Sequence, residues 1–163
     1  MTTQTLIRTR HDLPETARKQ LVDLLNARLA EMLDYGSRVK QAHWNVKGMQ
    51  FVALHEMLDT FASEAAEYAD LLAERAVMLG GKALGTVRVS ASKSTLPDYP
   101  LDATAAPKHL TALADNLGAI GKAIRSAIDV AAEKGDADTA DLFTEISRGL
   151  DKQLWYFEAH LSD

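Results

Sequence analysis

His55 and Asp59 stand four residues apart, as do Asp70 and Glu74, all within one uninterrupted helical pattern. Residues four apart lie one above the other on a helix, so each pair can share a metal ion or form an ordinary polar contact. With His43 just upstream, two imidazoles and three carboxylates make an N/O donor set that suits a transition metal such as iron better than a thiophilic one. With the Leu54–Leu58–Leu72 stripe at zero on a helical wheel, His55, Asp59, Asp70 and Glu74 fall at roughly 100°, 140°, 160° and 200°. The same sector holds Ala62, Ala66, Ala73 and Val77. A solvated face would carry long charged side chains, so a second helix is expected to pack there.

Helix rise then separates the two pairs. His55 and Asp70 are 15 residues apart, about 22 Å along one helix, so a single ion cannot touch both pairs of one chain. An antiparallel crossing of two copies near Glu64–Ala65 sets His55 and Asp59 of one chain against Asp70 and Glu74 of the other. Two equivalent sites result, as in any isologous contact. His43 joins through the short turn that follows it. On spacing alone, a pair of surface contacts on an exposed helix remains an equal alternative. Two rival metal readings fail on inspection. No glutamate has a histidine three residues later, which excludes the di-iron centre built inside one bundle. The stretch His55-Glu56-Met57-Leu58-Asp59 ends in Asp where a zinc-peptidase helix needs a second His.

The elements that must position these groups read as four long helices. Apolar residues recur at three-and-four spacing from Leu21 to Val39, after Pro14 at a helix start, and stop near Asn45-Val46-Lys47-Gly48. A second series runs from Leu54 to Leu79 and stops at Gly80-Gly81. Residues 82–108 break the period, hold Pro97, Pro100 and Pro107, and read as a long connection with a short helix over about 86–93. Two further series, Leu110 to Ala131 and Leu142 to Leu161, flank a turn at 133–138. Two helical hairpins joined by one long link predict an all-α, ferritin-like four-helix bundle with a single crossover. Residues 1–13 are expected to form a flexible tail and 14–163 the bundle domain.

Composition sets the outer limits. The 163 residues suit one domain, and the absence of cysteine excludes disulfides, thiolate metal sites and a thiol nucleophile. No apolar run reaches the roughly 20 residues of a membrane span, and the opening stretch lacks the apolar block of a secretory signal. A cytoplasmic protein is expected. The net charge of −5 argues against binding nucleic acid through the overall field.

KQAHWNVKG (40–48), LHEMLD (54–59) and DLLAERAVMLGG (70–81) together resemble the Dps family of mini-ferritins. The likeness continues through YPLD (99–102), DADTAD (136–141) and LDKQLWYFE (150–158), and covers the chain from about Pro14 onward. The resemblance implies a dodecameric shell of four-helix subunits that oxidises Fe(II), preferably with hydrogen peroxide, and stores the ferric mineral. It implies that His43, His55 and Asp59 of one subunit and Asp70 and Glu74 of its neighbour hold the iron. It also implies that Asp136, Asp138 and Asp141 line acidic pores; capping of the fourth helix is the plainer explanation of acids there, and both can hold at once.

Trp44, beside a ligand, is read as a residue that intercepts oxidising equivalents. Trp155 and Phe157 are expected in the core. His11, His109 and His160 are read as surface or capping residues. DNA binding, the family's other activity, is expected to be weak and salt-sensitive or absent. The first 13 residues carry Arg8 and Arg10 but no lysine, and phosphate contacts dominate nonspecific affinity. The contrasting reading is a DNA-compacting stress protein in which iron is secondary.

Overall fold

The computed structural model describes residues 5–162 as five helices: α1 Glu15–Asn45, α2 Phe51–Met78, α3 Val87–Lys93, α4 Ala106–Glu133 and α5 Ala137–Leu161. Among the described residues no strand forms, and the one β-bridge joins Lys47 to Ala105. No described helix is long and apolar enough to cross a membrane. The expected all-α bundle with one long crossover is what the chain forms.

α1 packs along α2, α4 along α5, α1 against α4, and α2 against α5, which closes a ring of four helices. Two contacts fix its polarity. Lys47 N–H donates to Thr104 O at 2.9 Å, joining the end of α1 to the start of α4. Arg75 near the end of α2 reaches Asp136 and Thr139 at the start of α5, at 2.7 and 2.8 Å. Neighbouring helices are therefore antiparallel. The C-terminus of α1 and the N-termini of α2 and α4 share one end of the bundle. α3 lies on α1 within the crossover.

The core is the set of inward stripes: Leu21, Leu25, Leu29 and Met32 of α1, Leu54, Leu58 and Leu72 of α2, Leu113, Leu117 and Ile124 of α4, and Phe143, Ile146 and Phe157 of α5. Removing such side chains from water at about 25 cal/mol per Å² supplies the main drive to fold. One polar chain crosses this interior. The Tyr35 hydroxyl donates to Gln153 Oε1 and Gln153 Nε2 donates to Glu64 Oε2, both at 2.7 Å. Burial holds the Tyr35 phenol well above its ordinary pKa, so it stays a donor. The middle of the bundle is thus occupied by matched donors and acceptors.

Helix ends follow their chemistry. Gly80 (φ 86°) and Gly135 (φ 76°) take left-handed conformations after α2 and α4. A side chain at Gly80 would also strike Ile7 O at 2.6 Å. Pro107 differs from expectation: it sits in the first turn of α4 rather than in the connection, because a helix start has no use for its missing N–H. The described part of the expected tail makes contacts with the bundle. Ile7 N–H donates to Gly80 O at 2.7 Å, and Leu6 and Leu13 pack against the core. Residues 1–4 of that expectation lie outside the described residues.

Candidate metal centre

His43 closes α1 and His55 opens α2, and the tight turn between the helices stacks the two imidazoles, with centroids 3.7 Å apart and planes 20° apart. Their hydrogen bonds are reciprocal. His43 Nδ1 lies 2.8 Å from His55 O, and His55 Nδ1 lies 2.8 Å from His43 O. A carbonyl only accepts, so each Nδ1 carries a proton, which leaves Nε2 as the nitrogen available to a ligand. Orientation of a ligating imidazole by a carbonyl on its far nitrogen is the usual support for a metal ligand. Phe51, tilted 33° to the His55 ring at 5.1 Å, walls the stack on one side.

Asp59, one turn beyond His55, is exposed and pairs with Lys40 of α1, Nζ to Oδ1 at 2.6 Å. The Lys40 hydrogen bond and charge hold its carboxyl below the usual range, with smaller help from His43 and His55. This partner of Asp59 was missed: nothing in the residue pattern marks Lys40, because the pairing depends on how α1 sits against α2. Trp44 is 67% exposed, and Lys40 Nζ stands 6.0 Å from its ring centroid.

Asp70 and Glu74 are exposed further along α2, on the face that carries Ala62, Ala66, Ala73 and Val77. Glu74 borders a shallow groove of about 350 Å³ with Ala73, Val77, Met78 and Ala83. Val77 and Met78 are over half exposed, which leaves an apolar surface open to water. Among the described residues, no three or more His, Asp or Glu groups converge enough to hold a metal. One chain therefore presents an imidazole-rich half at one end of α2 and a carboxylate half toward the other.

The remaining sequence-derived candidates divide. Asp136 caps α5 through Thr139 N–H at 3.0 Å and pairs with Arg75 at 2.7 Å, and is only 3% exposed. Its carboxylate is used inside the chain, so of the three pore candidates only Asp138 and Asp141 face solvent. Trp155, expected in the core, is 63% exposed, whereas Phe157 is buried. Its position on α5 lies off the Leu150–Phe157 stripe, and helical phase prevails over aromatic character. His109, read as surface or capping, is 1% exposed, on the inward line His109–Leu113–Asn116–Ile120 of α4. That three-and-four spacing was the signal that could have placed it. His11 caps Leu13 N–H at 3.3 Å, and His160 bonds back to Tyr156 O at 2.7 Å. Arg8 and Arg10 are exposed and line an open cleft with Thr9.

Comparison with known proteins gives these half-sites a context. A ferritin-like domain matches residues 22–163. The DNA protection during starvation protein of Agrobacterium fabrum is 46% identical, over 96% of this chain and 96% of that protein. Among solved structures, DpsC from Streptomyces coelicolor superposes with a TM-score of 0.94 at 32% identity, over 98% of this chain and 93% of that one. The tetragonal form of Mycobacterium smegmatis Dps gives 0.92 at 29% identity, over 98% and 96%.

Proposed function

The chain belongs to the Dps branch of the ferritin-like proteins, and from that premise we propose that it oxidises Fe(II) at sites completed between subunits and stores the product. His43, His55 and Asp59 supply one half of each site and Asp70 and Glu74 of a neighbouring subunit the other. Twelve subunits close a hollow shell whose interior takes the ferric mineral. The reading rests on one observation above others: two stacked imidazoles, each turned by a hydrogen bond from Nδ1 to the other residue's backbone carbonyl so that Nε2 is the nitrogen left for a metal, lie on the same helical hairpin as Asp59. Among the described residues no three such groups converge to complete a coordination sphere.

The chemistry follows from the donors. Carboxylate oxygens favour Fe(III) over Fe(II), so a mixed N/O site lowers the cost of losing the electron, while open positions admit the oxidant. Two Fe(II) ions at one site deliver two electrons to one hydrogen peroxide, which leaves as two waters after taking up two protons. Pairwise delivery limits release of hydroxyl radical. The Lys40 ammonium beside Asp59 holds the place of a cation and must yield when iron arrives. Asp138 and Asp141 draw Fe(II) toward the shell. The protein works in the cytoplasm, where removal of iron and peroxide protects DNA.

DNA compaction as the main role is the second reading, and exposed Arg8 and Arg10 favour it. Two arginines per subunit without lysine give weak, salt-sensitive binding even with avidity. Anaerobic Fe(II) titration followed by peroxide, with particle mass measured on the same sample, separates the two. We expect His43→Ala, and Asp70→Ala with Glu74→Ala, to abolish fast oxidation with the shell intact. Unchanged oxidation in those variants would sink the iron reading.

A further inference from the structure

Tyr99 and His109 lie outside the metal half-sites, and none of the chemistry above uses them. The Tyr99 hydroxyl is 2.6 Å from His109 Nδ1, with the rings roughly parallel. His109 is 1% exposed, and its Nε2 is buried without a well-formed hydrogen bond. Burial pushes the His109 pKa down, partly offset by the Ala103 backbone, so the ring is neutral. Burial likewise pushes the Tyr99 phenol up to about 12. In the arrangement that fits a protonated phenol, a neutral imidazole and the Ala103 backbone beside the ring, the hydroxyl donates, Nδ1 accepts, and the ring proton sits on Nε2.

That arrangement sets Tyr99 apart from the other tyrosines. Tyr35 donates to the amide oxygen of Gln153, which is no base. Burial raises the Tyr68 pKa first, and its carboxylate neighbours Glu64, Glu145 and Glu67 add to that through charge. Tyr99 has a base already hydrogen-bonded to its phenol. One edge of Tyr99 also lines an open cleft of about 770 Å³ with Trp44, the residue after His43. Bundle polarity places both at the end where α1 stops and α2 and α4 start.

We propose that Tyr99 and His109 form a proton-coupled redox pair that quenches single-electron oxidants of the hydroxyl-radical class escaping from the neighbouring iron chemistry. Tyr99 gives up one electron to the oxidant, which becomes hydroxide, and its phenolic proton crosses to His109 Nδ1. The products are a neutral phenoxyl radical and an imidazolium. An electron from a further Fe(II), which becomes Fe(III), restores the phenol as the proton returns. A phenol with so high a pKa is still protonated when it is oxidised, so loss of the electron has to be matched by loss of the proton, and His109 Nδ1 is the acceptor in place. The physiological source of the oxidant rests on the proposed iron reaction; the redox competence of the pair does not.

Two arms of one experiment keep these apart. In the first, the iron-free protein is oxidised by a flash-generated ruthenium trisbipyridyl(III) complex and frozen for electron paramagnetic resonance. The wild type should show a tyrosyl signal that forms more slowly in D2O. Tyr99→Phe and His109→Gln should each lower it several-fold, while Tyr35→Phe retains it. A signal of unchanged size in Tyr99→Phe overturns the proposal, as does one unaffected by His109→Gln in a shell of normal mass. In the second arm, Fe(II) and peroxide replace the photo-oxidant. Tyr99→Phe should oxidise Fe(II) at the wild-type rate but release more hydroxyl radical to a spin trap. A Tyr99 signal in the first arm with no Fe(II) oxidation in the second would overturn the iron reading and leave the pair standing.

Discussion

α2 has two faces built to different rules. Its inner face, Leu54, Leu58, Phe61, Ala65, Leu72 and Ala76, is buried against the other helices and complete in one chain. Its outer face, His55, Asp59, Ala62, Ala66, Asp70, Glu74 and Val77, is small, partly apolar and wet in one chain. The first holds the protomer together. On the proposed reading another copy lies on the second, and its donors, split into halves about 22 Å apart, act only when two copies meet.

This contrast predicts that damage to the two faces will look different. The largest effect is expected from Ala66→Arg, which puts a long cation near the centre of the outer face. Assembly should be lost as judged by particle mass, and fast Fe(II) oxidation with it, while helix content and melting of the protomer stay close to wild type. A full-sized shell from this variant would break the comparison. Next comes Leu72→Ala on the inner face, which leaves a cavity in the core. Denaturant unfolding should show a loss of about 2–5 kcal/mol. Iron oxidation per assembled particle should hardly change. The smallest effect sharpens the outer face alone. Lys40→Met removes the cation that competes for Asp59, and anaerobic Fe(II) titration at neutral pH should show binding about two- to five-fold tighter, the range of an exposed ion pair.

The same contrast explains what was legible in the sequence. Helix positions and the crossover came through because periodicity records burial within the chain. α3 appears at Val87–Lys93, where the break in period pointed. The outer face follows a related rule: alanines in place of lysines and glutamates point to a neighbour, and one chain alone leaves that face exposed. Contacts between distant segments left no such mark. Arg75 drawing Asp136 into the interior, 61 residues away, is one case, and Lys40 on Asp59 is another. Trp155 and His109 show a different limit: aromatic or polar character alone misplaces them, whereas helical phase exposes the one and buries the other.

The central claim, that each iron site is assembled from two subunits, is tested most directly by complementation. One variant carries His43→Ala and His55→Ala, the other Asp70→Ala and Glu74→Ala, and each alone should be inactive. Dissociated, mixed in equal amounts and reassembled, they form hybrid pairs in which one of the two sites combines intact imidazoles with intact carboxylates. With random pairing, about a quarter of the wild-type peroxide-dependent Fe(II) oxidation should return. Reassembled mixed shells with no recovered oxidation would contradict the account.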